Sequence, residues 1–232
     1  MKLITVALSV VVLLTGGNAP ASEVYGEYRK MTPTIYYIPF FNLDRGYQCT
    51  PGDTRHTVRT TEKKPIGVMC KKDILNCMMQ GSCVVILHKK RTMLSYRKKD
   101  GGEPLFVPTE DTECEYGRGP KNVCLEPFFT VAADLKQHFS GDVLYVPAFK
   151  GLRLPTGQVH DGFFIVRDTG GKIIGKDRFD FYTGYYQPQA EDNTFLDVGA
   201  SDKSNKLYYL KVLDPRIKQK ILEAHGYPKL PQ

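Results

Sequence analysis

Two strand-like stretches of the chain each deliver one carboxylate. Phe163-Phe164-Ile165-Val166-Arg167-Asp168 runs directly into Thr169-Gly170-Gly171, and Arg178-Phe179-Asp180-Phe181-Tyr182 follows a few residues later. By the two-residue period of a strand, Phe164 and Val166 share one face and Asp168 follows in phase where the glycines bend the chain. Phe179 and Phe181 point opposite to Asp180, so this carboxyl leaves the core face while its surroundings stay apolar. Such a carboxyl is expected to have a raised pKa, the property a general acid needs near neutral pH. A third aspartate, Asp134, ends the run Thr130-Val131-Ala132-Ala133. Spacing alone leaves a plainer account equally open, with Asp168 capping a turn and Asp180 a solvated strand residue. Tyr182, Tyr185 and Tyr186 cluster after the last aspartate, where their rings suit stacking on sugars or ordinary packing.

Other chemistries find less support. No Gly-x-Ser-x-Gly nucleophile elbow occurs, and His56, His88, His138, His160 and His225 are scattered, as surface or packing histidines are. Neither Cys-x-x-Cys nor His-x-x-x-His is present, so no metal site is expected, and no cofactor. The triplet Asp168-Thr169-Gly170 is also that of an aspartic protease, but it occurs once where such enzymes need two.

The elements that must hold these residues are mostly short strands. Thr34 to Ile38, between Pro33 and Pro39, reads as one; Phe128 to Ala132, Val143 to Val146, Gly162 to Arg167, Arg178 to Tyr182 and Leu207 to Val212 read as others. Regular short strands with turn residues between them indicate a barrel or sandwich. Lys71 to Met79 has helical spacing and leads into a buried strand, Cys83 to Leu87. Asp214-Pro215 opens a terminal helix, about 214–225, with Ile217, Ile221 and Leu222 on one face. The polar, Gly- and Pro-containing stretches between Arg45 and Pro65 and from 89 to 124 read as loops, so that about 41–124 is expected to be a loop-rich insertion.

Lys2 followed by an apolar run from Leu3 to Leu14 and Ala19-Pro20-Ala21 predicts a signal peptide over 1–21, too short in its apolar core to remain a membrane span. Residues 22–232 are then a single exported domain, periplasmic or extracellular, with no stable membrane insertion, and a monomer. Its six cysteines suit disulfides; a local Cys114–Cys124 bridge fits, while the pairing of Cys49, Cys70, Cys77 and Cys83 is open. The formal charge of +7, one less without Lys2, favours anionic partners. Export turns that preference from nucleic acid toward wall polymer, lipid headgroups or polysaccharide.

The pattern Phe164-x-Val166-x-Asp168-Thr169-Gly170-Gly171, Gly175, then Arg178-Phe179-Asp180-Phe181-Tyr182-x-Gly184 resembles the signature of the three-aspartate domain of MltA-type peptidoglycan lytic transglycosylases. Ala133-Asp134 ahead of Gly141-Asp142-Val143-Leu144-Tyr145 stands where that family has its first aspartate. Tyr116-Gly117-Arg118-Gly119 and Leu125-Glu126-Pro127-Phe128 resemble its lead-in. The likeness runs from about Thr34 to Gly184, dense after Leu125 and thin before Cys83. It departs at Lys176-Asp177, one residue more than usual, and in the shortness of the insertion.

The resemblance implies an all-β dominated fold, a six-stranded double-psi β-barrel with short helices. It implies cleavage of the bond between N-acetylmuramic acid and N-acetylglucosamine in peptidoglycan glycan strands, leaving a 1,6-anhydro end. Asp180 would be the acid, Asp168 and Asp134 would complete the cluster, and Tyr182, Tyr185, Thr169 and Gly170 would contact substrate. A non-catalytic wall-binding barrel is the alternative on the same fold.

Overall fold

The computed structural model describes residues 24–110, 113–202, 204–205 and 207–228. The expected signal peptide lies outside the described residues.

Six strands close into a barrel: β1 (Arg29–Tyr36), β8 (Thr130–Ala133), β9 (Val143–Tyr145), β10 (Phe163–Asp168), β11 (Arg178–Tyr182) and β12 (Leu207–Lys211). Their order around the barrel is β1-β11-β8-β10-β9-β12, with β1–β11 and β8–β10 parallel and the remaining pairs antiparallel. Alternation fills the interior with Val131, Ala133, Leu144, Phe164, Val166, Phe179 and Phe181, joined by Phe149 and Phe195. The rings meet at angles, with Phe164 and Phe181 centroids 4.7 Å apart and Phe149 and Phe195 4.6 Å apart, the edge-to-face packing that aromatic quadrupoles favour. Strands β9 and β10 are covered on the outside too. Val143, Tyr145, Phe163 and Ile165 pack against Ile217, Ile221 and Leu222, so these strands read as continuous apolar runs.

Those helical residues belong to the C-terminal helix, Pro215–Ala224, with Asp214 at its N-cap accepting from the N–H groups of Arg216 and Ile217, as the sequence leads one to expect. The strand expected from Thr34 to Ile38 begins earlier and passes through Pro33. Thr32 N–H donates to Asp177 O, so Pro33 faces away from β11, on the side where pairing with β12 has already ended at Met31. Its missing N–H therefore breaks no ladder bond.

Between β1 and β8 the chain builds a second six-stranded sheet, and here the expected loop-rich insertion over 41–124 needs correction. Strands β2 (Phe40–Asn42), β3 (Arg55–Thr60), β4 (Pro65–Cys70), β5 (Ser82–Leu87), β6 (Lys90–Asp100) and β7 (Glu103–Thr109) pair in the order β2-β5-β6-β7-β3-β4. Their Lys and Arg content reflects solvated positions, which made strands read as loops. Gly101 and Gly102, with φ of +56° and +87°, form the two-residue turn that joins β6 to β7. At the β5–β6 turn, His88 and Lys89 adopt positive φ without glycine; both of their N–H groups donate to the Asp44 carboxylate.

One face of this sheet packs on the helix Lys71–Gln80 through Ile74 and Cys77. The opposite face meets the barrel, with Val84 and Met93 against Ile38 and Tyr182. Disulfide Cys77–Cys83 ties the helix to β5, Cys49–Cys70 ties the loop before β3 to the end of β4, and Cys114–Cys124 closes the segment returning to the barrel. Among the described residues no helix is long and apolar enough to cross a membrane.

Candidate active site

The two carboxylates of the sequence pattern flank the same small residue. In the β11–β8 ladder Asp180 is level with Ala132, and in the β10–β8 ladder Asp168 is level with Ala132 as well. The second pairing depends on a bulge: Val166 pairs with Val131, Arg167 is passed over, and Asp168 takes the next place. Val131 and Val166 point into the barrel. Asp168 therefore does not continue the inward phase of Phe164 and Val166, as simple alternation implies; the extra residue turns it to the outer face, which Asp180 occupies.

Thr34 and Tyr36 of β1 share that outer face, beside Asp180 and Tyr182. The Tyr36 hydroxyl donates to Asp168 Oδ2 at 2.9 Å and the Thr169 N–H donates to Oδ1 at 2.8 Å. Burial pushes the Asp168 carboxyl up to about 6; the two hydrogen bonds oppose the rise and the charge of Asp180 adds to it. Asp168 is thus a carboxyl raised by burial, on the same face as Asp180, where the sequence pattern expects apolar surroundings. Asp180 meets the Arg178 guanidinium at 2.9 Å.

Asp168 opens onto a cavity of about 410 Å³ between the barrel and the second sheet. The barrel side is Tyr36, Asp168, Thr169 and Tyr182; the sheet side includes Ser82, Ser95 and Arg97, and Arg118 and Gly119 close one end. Gly119 is there because nothing larger fits: a Cβ would overlap the carbonyl of Arg167, the residue before Asp168.

The other expected site residues divide. Asp134 lies two residues beyond Ala132 on β8's outer side, but its carboxylate accepts from the Gly175 and Lys136 N–H groups at 2.9 Å each. Those bonds hold it below the usual carboxylate range and clamp two loops together. Thr169 lines the cavity, its hydroxyl donating to Ala133 O, and Gly170 lies beside it, where a Cβ would press on Ile173. Tyr182 is fully buried, with its hydroxyl donating to Tyr116 O. Tyr185 sits in the seam between barrel and sheet and accepts from Arg91. Asp177, the extra acidic residue, is clamped by Arg29 at 2.8 and 2.9 Å and by Tyr209 at 2.7 Å, so it has a structural occupation. Sequence reasoning missed Tyr36, whose alternation with Thr34 was available, and Arg97 and Gly119, which lie in stretches read as loop.

Of the histidines, His160 is buried and neutral, donating from Nε2 to Phe128 O and accepting at Nδ1 from Gly162 N–H; burial lowers it to about 4. Cys49, Asp53 and Cys70 come together, but the two thiols form a disulfide.

A closed barrel whose outer face carries paired aspartates, one of them lining a polar cleft, defines a mostly-β, carboxylate-bearing architecture. Residues 129–211 match the family model for the 3D domain, which spans five of the six barrel strands. Among solved structures, the chain resembles E. coli MltA with bound chitohexaose, at 15% identity over 79% of this chain and 71% of that one, with a TM-score of 0.52. Also similar are the membrane-bound lytic murein transglycosylase from Agrobacterium tumefaciens (14% identity, 84% and 77% covered, TM-score 0.45) and the lytic transglycosylase LtgG of Burkholderia pseudomallei (14% identity, 80% and 71% covered, TM-score 0.44). No protein of curated function matches in sequence. Residues 129–211 thus carry the match to the 3D domain, and the fold of the chain is similar to that of E. coli MltA.

Proposed function

We propose that this protein is an exported peptidoglycan lytic transglycosylase, cutting the β-1,4 bond between N-acetylmuramic acid and N-acetylglucosamine. The observation that carries the reading is the Asp168–Asp180 pair, flanking Ala132 on one face, with Asp168 opening into the cleft. The chitohexaose bound by E. coli MltA supports a β-1,4-linked amino-sugar chain as ligand. Three disulfides support export to the periplasm or beyond, and the two parallel pairings of the barrel support its reading as a double-psi barrel.

In the mechanism, Asp180 gives its proton to the glycosidic oxygen as the bond to C1 breaks. The resulting carboxylate takes the proton of the muramoyl 6-hydroxyl, whose oxygen closes on C1. No water is consumed, unlike the two-carboxylate hydrolases. Asp168 faces the developing positive charge, and general-acid help of this kind is worth roughly 10²–10⁴-fold. Thr169 and Tyr182 line the cleft, with Gly170 next to Thr169 in the chain and Tyr185 packed in the seam between barrel and sheet.

A second reading exchanges the two roles. It is favoured by the elevated pKa of Asp168 and by the Arg178 contact of Asp180, which suit a neutral donor and a charged stabiliser respectively.

Mass spectrometry of soluble products from purified sacculi, with residues 22–232 as wild type, Asp180→Asn and Asp168→Asn, tests all of this. Anhydro-muropeptides from wild type are expected. The variant that abolishes them but regains bond cleavage on a substrate with a good leaving group, which departs without a proton, identifies the donor. Reducing-end products would mean hydrolysis, and retained binding without release would mean a wall-binding barrel.

A further inference from the structure

The cleft wall opposite Asp168 is built by the second sheet, and it carries a charge that the cleavage chemistry does not use. Strand β6 presents Met93 and Ser95 toward the barrel, and Arg97 follows them at the two-residue period. At Arg97 the ladder is interrupted: Tyr96 is level with Phe106 and Lys98 with Leu105, so Arg97 is the extra residue of a bulge. Arg97 lines the same cavity as Asp168, and each wall carries a bulge at its charged residue, β10 at Asp168 and β6 at Arg97.

Arg118, also in the cavity, is occupied by Asn122 at 2.9 Å and Glu113 at 3.4 Å. Arg97 has no carboxylate within ion-pair distance among the described residues. The Arg97 guanidinium is solvent-exposed, and a planar guanidinium pairs best with a carboxylate, through two parallel hydrogen bonds. Around it stand neutral donors and acceptors, Ser82, Ser95 and Gln80, suited to sugar hydroxyls and amides.

We propose that Arg97 forms an anion subsite that selects glycan bearing carboxylates over neutral glycan. This rests on the glycan-cleaving reading of the same cleft. The carboxylate on such a strand is either the lactyl group of the muramoyl unit or a group of the attached peptide; the shared chemistry is a carboxylate held across the cleft from the scissile bond.

Binding separates the possibilities. Asp180→Asn protein, which holds its ligand uncut, is titrated calorimetrically with peptide-free glycan oligomers carrying lactyl carboxylates, with the same oligomers after amidation of those groups, with peptide-bearing oligomers, and with chitohexaose. The titrations are repeated with Arg97→Gln and Arg97→Lys added. The expected result is roughly a tenfold loss of affinity either on amidation or on Arg97→Gln, with no further loss when both are combined, and partial recovery in Arg97→Lys. Discrimination seen with peptide-free strands assigns the lactyl group; discrimination confined to peptide-bearing strands assigns the peptide. Equal affinity for charged and amidated strands, or equal loss for both in Arg97→Gln, overturns the subsite while leaving the glycan reading intact. Absence of binding to every glycan sinks the glycan reading itself.

Discussion

The Tyr36 hydroxyl reaches Asp168 Oδ2 at 2.9 Å, joining the last residue of the first barrel strand to the cleft carboxylate of the fourth. Because this bond favours the charged carboxylate, its removal should push the proton on. Tyr36→Phe is expected to raise the Asp168 pKa above its value of about 6 by about one unit, the equivalent of one hydrogen bond to a charged group. Carbon-detected NMR titration of the aspartate carboxyls checks this, and an unchanged or lowered pKa would refute it.

Asp168 should also weaken the fold at neutral pH. Its native pKa of about 6 stands above the unfolded 3.8, so the native state prefers the neutral acid. The penalty is absent below about pH 3.8, grows as the pH rises, and is complete above about 6, where it amounts to about 2–3 kcal/mol. Asp168→Asn should therefore unfold at higher denaturant concentration than wild type at pH 7.5 and at the same concentration near pH 3.5.

His225 gives the opposite slope. Burial lowers its pKa, but hydrogen bonds to Asp161 and Glu126 outweigh that and raise it to about 9. The stabilisation is whole below about pH 6.5 and is lost as the pH rises through 9. His225→Gln is expected to lower stability by about 1–2 kcal/mol at pH 6, allowing for screening by solvent, and to match wild type near pH 10. A gap that persists at pH 10 would assign the effect to packing.

Gly119 has an ordinary φ of −88°, so its requirement is for space. Gly119→Ala would drive a methyl into the Arg167 carbonyl, and backbone on both sides leaves little room to yield. The expected loss is about 2–3 kcal/mol, accompanied by loss of anhydro-product release beyond what the reduced stability accounts for. Thermal melts beside the sacculus assay read both.

Much of the barrel was legible because its strands obey simple alternation or are covered on both faces. Phe179 and Phe181 announce an inward face, and Asp214-Pro215 announces a helix start. The second sheet was not legible, because Arg55 to Thr60 and Lys90 to Asp100 carry their charges on solvated positions and the β5–β6 turn is held by Asp44 rather than by glycine. For the site, the motif supplied Asp168, which lines the cleft, and Asp180 across Ala132 from it; alternation set Asp168 in phase with Phe164 and Val166 at a strand end, since a bulge leaves no mark in a single sequence. The burial that raises the Asp168 carboxyl depends on the opposite wall, which comes from residues far along the chain, and so leaves no mark beside Asp168 in the sequence.

The bulge in β10 gives two neighbouring residues separate employers. Arg167 turns to Glu126 and to the carbonyls of Cys124 and His225, fastening the end of the C-terminal helix to the barrel, while Asp168, one peptide bond later, faces the cleft. The end of the C-terminal helix is therefore mechanically adjacent to the Asp168 carboxylate. A tag or truncation that disturbs the Gly226 region, remote from the cleft along the chain, would be felt at the carboxylate through a single shared backbone unit.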